Sequence, residues 1–326
     1  MTESNNGSAN IRCRFCGQLN KTSPTFGIES ARCGRCRLPL SDEPHKKFAH
    51  LDPNSYIHPL DSQALAALKM IPGVDSVLKK LLEYTHEAYS KVLFNANSVK
   101  VSEKQCPDLD AKLDVVCCTL GIAKPDLYIS VTDPFLGGGL GFNAFTGGVE
   151  KPFIVIFASL LERLSDMEVL AMLAHEAGHI HARHLLYKVA AEIIAFLTRY
   201  ALLASPITAG ISALISLTIQ SALLSWYHKA ELSCDRAALL VVQDPNVVIS
   251  TLMKLAGGTL ASKVDYEQFV EQARAFNKNY QEKMLDRFWT LIAAAGMSHP
   301  FPVWRVSEIL EWVDKGDYKR VLESEQ

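Results

Sequence analysis

The stretch Met167–Leu186, MEVLAMLAHEAGHIHARHLL, decides how the chain is read. Its apolar residues recur at helical spacing and no proline interrupts them, so one helix is expected across the segment. Inside it, His175-Glu176-Ala177-Gly178-His179 has the form HExxH. Residues four apart on a helix sit about 40° apart, so both imidazoles leave one face and can grip one ion, with Glu176 beside them as a base. His181 and His184 fall on the far side of the same helix and are expected at the surface.

A zinc ion that hydrolyses needs three protein ligands and one open position, so a third donor must come from elsewhere in the chain. Glu231 is the best candidate, in a second helical stretch, with Asp235 one turn later. In that ExxxD spacing Glu231 reaches the metal, while Asp235 accepts the free ring N–H of a ligand histidine and fixes its tautomer. The expected chemistry is hydrolysis by a zinc-bound water: the metal lowers its pKa from about 15.7 toward 7, Glu176 takes the proton, and hydroxide attacks a polarised carbonyl.

Upstream, Cys13-Arg-Phe-Cys16 and Cys33-Gly-Arg-Cys36 form two CxxC knuckles. Their spacing suits a tetrahedral four-cysteine zinc site and predicts a zinc ribbon over 12–44, in which the metal supplies most of the folding free energy of so short a segment. Residues 12–47 carry eight Lys or Arg against three Asp or Glu, yet four thiolates with one Zn2+ add a charge of about −2. A structural or protein-docking ribbon is therefore favoured over a nucleic-acid contact or a redox pair. Cys106, Cys117, Cys118 and Cys234 lack such spacing and are expected to be small buried side chains.

The whole chain of 326 residues is 48% hydrophobic with a formal charge of −2, which argues for folded domains and against a protein that coats nucleic acid. Residues 1–11 are polar, without the apolar core of a secretory signal, and read as a disordered tail; a reducing cytoplasm is expected. Pro53 and Pro59 make 45–59 a linker. Two helices separated at Pro72-Gly73 are expected within Ser62–Phe94, then strands at Leu127–Val131 and Phe153–Phe157, then helices almost to the end. The fold class is mainly α with a small β-sheet, preceded by the ribbon. Between the two expected metal helices, 189–226 reads as an apolar hairpin whose second half, Ile207–Leu224, holds no charge. It suits either contact with a membrane or a soluble pair shielding the site.

Taken together, His175–His179, Ala230-Glu231-Leu232-Ser233-Cys234-Asp235-Arg236, Asn143-Ala144-Phe145 before an apolar strand, and Ser298-His299-Pro300 followed by Arg305 resemble the gluzincin metallopeptidases of the HtpX and CAAX-prenyl-endopeptidase type. The resemblance spans roughly Pro59 to Val321 and implies a zincin-like domain over 60–326. It implies His175, His179 and Glu231 as ligands of a catalytic zinc, Glu176 as base and Asp235 as partner of a ligand histidine. His299 would steady the oxyanion or cap the zinc, and Arg305 would support the oxyanion or the structure. Asn143, Ala144 and Phe145 would lie on the edge strand that pairs with substrate. Many relatives have arginine where this chain has His228, and the ribbon is an addition.

The expectation is a zinc metalloendopeptidase with one catalytic and one structural Zn2+. It would act on unfolded or membrane-associated polypeptides, with a protein partner at the ribbon and no nucleic acid. The rival is a non-catalytic zinc-binding adaptor or chaperone-like peptide binder.

Overall fold

The computed structural model describes residues 9–22, 31–41, 43–84, 92, 94–133, 139–140, 143–200, 217–279 and 301–324. It opens on a hairpin of β1 (Ala9–Arg12) and β2 (Leu19–Thr22), followed by a second knuckle over 31–41. Next come α1 (Pro59–Lys69), α2 (Val74–Tyr84), β3 (Val99–Lys100), α3 (Pro107–Leu120) and β4 (Asp126–Ser130). The short strands β5 (Thr132–Asp133) and β6 (Gly139–Leu140) pair with each other, ahead of β7 (Ala144–Gly147) and β8 (Phe153–Phe157). Helices follow: α4 (Ala158–Leu161), α5 (Asp166–His181), α6 (Leu185–Tyr200), α7 (Leu217–Val242), α8 (Pro245–Gly257), α9 (Tyr266–Asn279), α10 (Pro302–Asp314) and α11 (Asp317–Glu323).

Two knuckles of one design build the ribbon. Cys13 N–H donates to Gln18 O and Gly17 N–H to Cys13 O, and the same two bonds recur from Cys33 to Leu38 and from Arg37 to Cys33. The fourth residue after each first cysteine takes a positive φ, 76° at Gly17 and 64° at Arg37, which glycine adopts freely and arginine only at a cost. The ribbon is packed against the helices. Phe15, Leu38 and Leu40 share one buried core with α3, α5 and α7, and Arg35 Nη2 donates to Asp114 on α3 at 3.0 Å. Residues 45–59 run along the helical body and bury Phe48, Leu51 and Tyr56 in the same core, with a single 3-10 turn at Pro53–Ser55. His45 Nε2 meets Val241 O at 2.8 Å, and Gln243 exchanges two hydrogen bonds with the backbone of Lys46.

The main sheet has the order β3-β4-β8-β7, with β4 parallel to β8 and the other pairs antiparallel. Every residue of β8 is buried, as suits a strand covered on both faces, and β7 forms the outer edge. Phe145 turns into an aromatic cluster with Phe94 and Phe153, while Thr146 turns toward α5.

The central helix, α5, starts at a capping box in which Ser165 Oγ accepts from Glu168 N–H and Glu168 answers on Ser165 N–H. Almost its whole length is buried, and it crosses α7 closely. At Gly178 an added Cβ would stand 3.0 Å from Ala237 Cβ and 3.2 Å from Cys234 Cα, so only glycine allows this approach without a shift. A second core joins α1, α2, α6 and α7 through Leu68, Leu78, Tyr187, Leu223 and Trp226.

The structure corrects the reading of Met167–Leu186 as one helix. The helix ends at His181, Arg183 takes a φ of 59°, and a new helix begins at Leu185. Of the expected hairpin 189–226, residues 201–216 lie outside the described residues. Among the described residues no helix is long and apolar enough to cross a membrane. Cys117 and Cys234 are buried as expected and Cys106 is half-buried, but Cys118 is exposed on α3.

Candidate metal centre

The crossing of α5 and α7 brings three donors to one point. His175 Nε2 lies 3.2 Å from Glu231 Oε2, and His179 Nε2 lies 3.2 Å from Glu231 Oε1. Ligand atoms about 2.05 Å from a tetrahedral ion are about 3.3 Å apart, so these spacings are those of a zinc site's edges. His179 Nε2 is buried and has no hydrogen-bond partner among the described residues, an orphan that a metal would satisfy. The N, N, O donor set suits zinc, and all three residues are buried.

Charge around the point is ordered. Asp235 Oδ1 is 3.0 Å from His175 Nδ1, and Arg305 on α10 grips Asp235 with two donors, Nε to Oδ2 at 2.7 Å and Nη2 to Oδ1 at 2.6 Å. Burial and the Arg305 guanidinium both oppose a proton on His175, yet the carboxylates of Asp235 and Glu231 outweigh them and lift its pKa to about 9. Burial drives His179 well below the usual histidine range. Glu231, for which burial favours the neutral acid, is held well below the carboxylate range by its hydrogen bond with His175 and by the His179 imidazole beside it.

Glu176 sits between the donors and the sheet. Thr146 Oγ1 lies 2.6 Å from its Oε2 and 2.9 Å from its backbone carbonyl, so β7 anchors the HExxH helix at the expected base. Lys188 on α6, 2% exposed, donates from Nζ to Thr146 O at 3.2 Å and pairs with Glu192. Phe157 N–H bonds to Asn143 O, so the alternation of an antiparallel pair turns the main-chain groups of Ala144 and Thr146 away from β8. Lys188 takes the Thr146 carbonyl on that outer side.

Of the expected site residues of the peptidase domain, all but His299 can thus be placed. His175, His179, Glu231, Glu176, Asp235 and Arg305 come together; Asn143, Ala144 and Phe145 lie at the start of the edge strand; His299 lies outside the described residues. His184 is a correction: it is 1% exposed, not at the surface, because the break after His181 folds it back so that its N–H bonds to His179 O at 2.9 Å. His181 is half-buried, its Nδ1 2.8 Å from Tyr56 Oη. Thr146, Lys188 and His184 were not identified from sequence, and Thr146 carries no signal beyond following Asn-Ala-Phe.

The second donor set is the ribbon. Cys13 and Cys36 Sγ atoms are 3.7 Å apart and those of Cys16 and Cys33 3.6 Å, against about 3.8 Å for the edge of a tetrahedral zinc thiolate site. A hydrogen bond from Cys36 brings the Cys13 thiol down to about 5, favouring a thiolate at neutral pH.

Comparison with known proteins places this geometry. The chain is 36% identical over 302 residues to "Plastoglobule-localized metallopeptidase 48, chloroplastic" of Arabidopsis thaliana, covering 91% of this chain and 83% of that one. It is 24% identical over 185 residues to "Protease HtpX homolog 2" of Methanosarcina mazei, covering 51% and 60% of the two chains. No solved structure matches. The profile described as peptidase family M48 matches residues 103–313, which take in α5, α7 and nearly all of α10. The chain therefore belongs to peptidase family M48.

Proposed function

We propose that the chain is a zinc-dependent metalloendopeptidase whose catalytic metal is held by His175, His179 and Glu231, with a structural zinc on Cys13, Cys16, Cys33 and Cys36. The observation that carries the reading is the meeting of both imidazoles on the two oxygens of Glu231 in a buried site. Bound zinc supplies Lewis acidity, polarising a carbonyl and acidifying water. Glu176 takes the proton of the attacking water and returns it to the leaving amine, and Thr146 holds its carboxylate in place. Asp235, itself clamped by Arg305, fixes the tautomer of His175. Arg305, 5% exposed and engaged with Asp235, is a structural support. His299 we assign to the oxyanion or to a capping position on the metal.

Substrates are polypeptides, bound in extended form along β7. The outward main-chain groups of Ala144, next to the half-buried Asn143 and Phe145, support that pairing. We place the chain in the cytoplasm, with the hairpin 189–226 as its contact to a membrane and unfolded or membrane-associated proteins as its targets. The ribbon (12–44), the segment 45–59 and the peptidase domain (60–326) are its units, and a partner at the ribbon would meet its exposed polar side.

Replacing Glu176 by Gln separates the enzyme from a peptide-binding adaptor. The enzyme loses casein-type proteolysis while keeping about two zinc ions per chain. Proteolysis at the wild-type rate in E176Q overturns the catalytic reading.

A further inference from the structure

Asp235 stands at Nδ1 of His175, whereas Nδ1 of His179 faces no carboxylate among the described residues. A metal ligand that binds through Nε2 carries its proton on Nδ1, and a buried N–H needs an acceptor. His179 Nδ1 lies 3.3 Å from His184 Nδ1. If His184 accepts there, its own proton is on Nε2, which lies 3.1 Å from Asp61 Oδ2. Asp61, 1% exposed, also accepts from Trp226 Nε1 at 2.8 Å and from Ser233 Oγ at 2.5 Å. Ser233 Oγ is in turn the acceptor of His58 N–H at 2.9 Å, so its single proton is left for Asp61. Each proton in this series has one direction compatible with His179 as a ligand.

We propose that His184 and Asp61 are positioning residues of the metal centre: a relay, His179 to His184 to Asp61, that orients the second histidine ligand as Asp235 orients the first. The proposal rests on the zinc reading of His175, His179 and Glu231. The rings are held for this role, with His184 packed edge-on to Trp226 at 5.4 Å between centroids and at 65° to the His179 ring. The carboxylate comes from α1, upstream of the region 103–313 that the family profile matches, so the segment leading into the peptidase domain contributes to its metal site.

The test uses the full-length, zinc-loaded protein and a chromophoric chelator that competes for zinc. H184A and D61N are expected to weaken the HExxH zinc about 10- to 100-fold while the four-thiolate zinc is unchanged. H184N keeps an acceptor at the place of Nδ1 and is expected to recover most of the affinity lost in H184A. In [15N]histidine-labelled protein, the downfield His179 Nδ1–H signal is expected in wild type and H184N and absent in H184A. A folded H184A with affinity within about twofold of wild type overturns the relay, as does H184N no tighter than H184A. Should H184A not fold, D61N and H184N decide by the same affinities: wild-type zinc binding in a folded D61N overturns the relay. A wild type that holds zinc only at the ribbon overturns the zinc reading itself, which separates the two failures.

Discussion

Replacing Gly178 by Ala tests whether the close crossing of α5 and α7 sets the metal geometry. In a helix interior the change would by itself stabilise by about 1 kcal/mol, because alanine loses less backbone freedom. Against this, the new methyl would stand 3.0 Å from Ala237 Cβ, 3.2 Å from Cys234 Cα and 3.4 Å from Cys234 Cβ. Carbon contacts settle at about 3.5–4.0 Å, and the obstructing Cα is backbone, so α7 must move by a few tenths of an ångström. Overpacking of this kind costs about 1–3 kcal/mol, so the net effect on stability is a loss of roughly 0–2 kcal/mol. The effect on the metal is the larger one. Cys234 lies between Glu231 and Asp235 in sequence, and metal-ligand distances tolerate only about 0.2 Å. Zinc affinity at the HExxH site should fall about 10-fold or more, read by chelator competition beside a denaturant melt of the apo protein. Combining the change with Ala237→Gly, which removes the nearest contact, should restore part of the affinity. A G178A protein about 1 kcal/mol more stable than wild type with unchanged zinc affinity would refute the reasoning.

Thr146→Val removes the hydroxyl that holds Glu176 while keeping the shape; turnover of a peptide substrate is expected to fall about 10-fold with zinc content unchanged, and an unaltered kcat would show that this bond does not matter. Asp235→Asn leaves the Arg305 guanidinium buried without its carboxylate, so a stability loss of about 3–5 kcal/mol and weaker zinc binding are expected in melts and chelator titrations; a loss below about 1 kcal/mol argues against a tight pair. His45 has its pKa pushed from 6.5 down to about 4, chiefly by burial. The unfolded chain therefore takes up a proton the folded one refuses, and stability present above pH 6.5 is lost as pH falls toward 4, by on the order of 3 kcal/mol. His45→Gln keeps a donor for Val241 O and cannot titrate, so its stability relative to wild type should rise between pH 7 and 4.5; a difference that ignores pH contradicts this.

What could be read in the sequence was what local chemistry repeats. The HExxH spacing, the Glu231 and Asp235 pair, the two knuckles, the break at Pro72-Gly73 and the strand Phe153–Phe157 each carry their signal within a few residues. Helix α3 was not legible because it is buried on nearly every side, from Leu109 to Leu120, which removes the one-sided apolar stripe that reveals a surface helix. His184 was misplaced because angles round a helix hold only while the helix continues, and Arg183 in the left-handed region ends it. The partnerships of Asp61 with His184 and of Thr146 with Glu176 join residues 123 and 30 positions apart in sequence; no spacing rule reaches that far.

The most direct measurement is anomalous diffraction at the zinc edge from crystals of the zinc-loaded protein. The expected map has one peak among the four cysteine sulfurs and a second about 2.0–2.2 Å from His175 Nε2, His179 Nε2 and one Glu231 oxygen. A second peak held by the two imidazoles with the Glu231 carboxylate beyond bonding reach, or no peak between α5 and α7 at all, would contradict it.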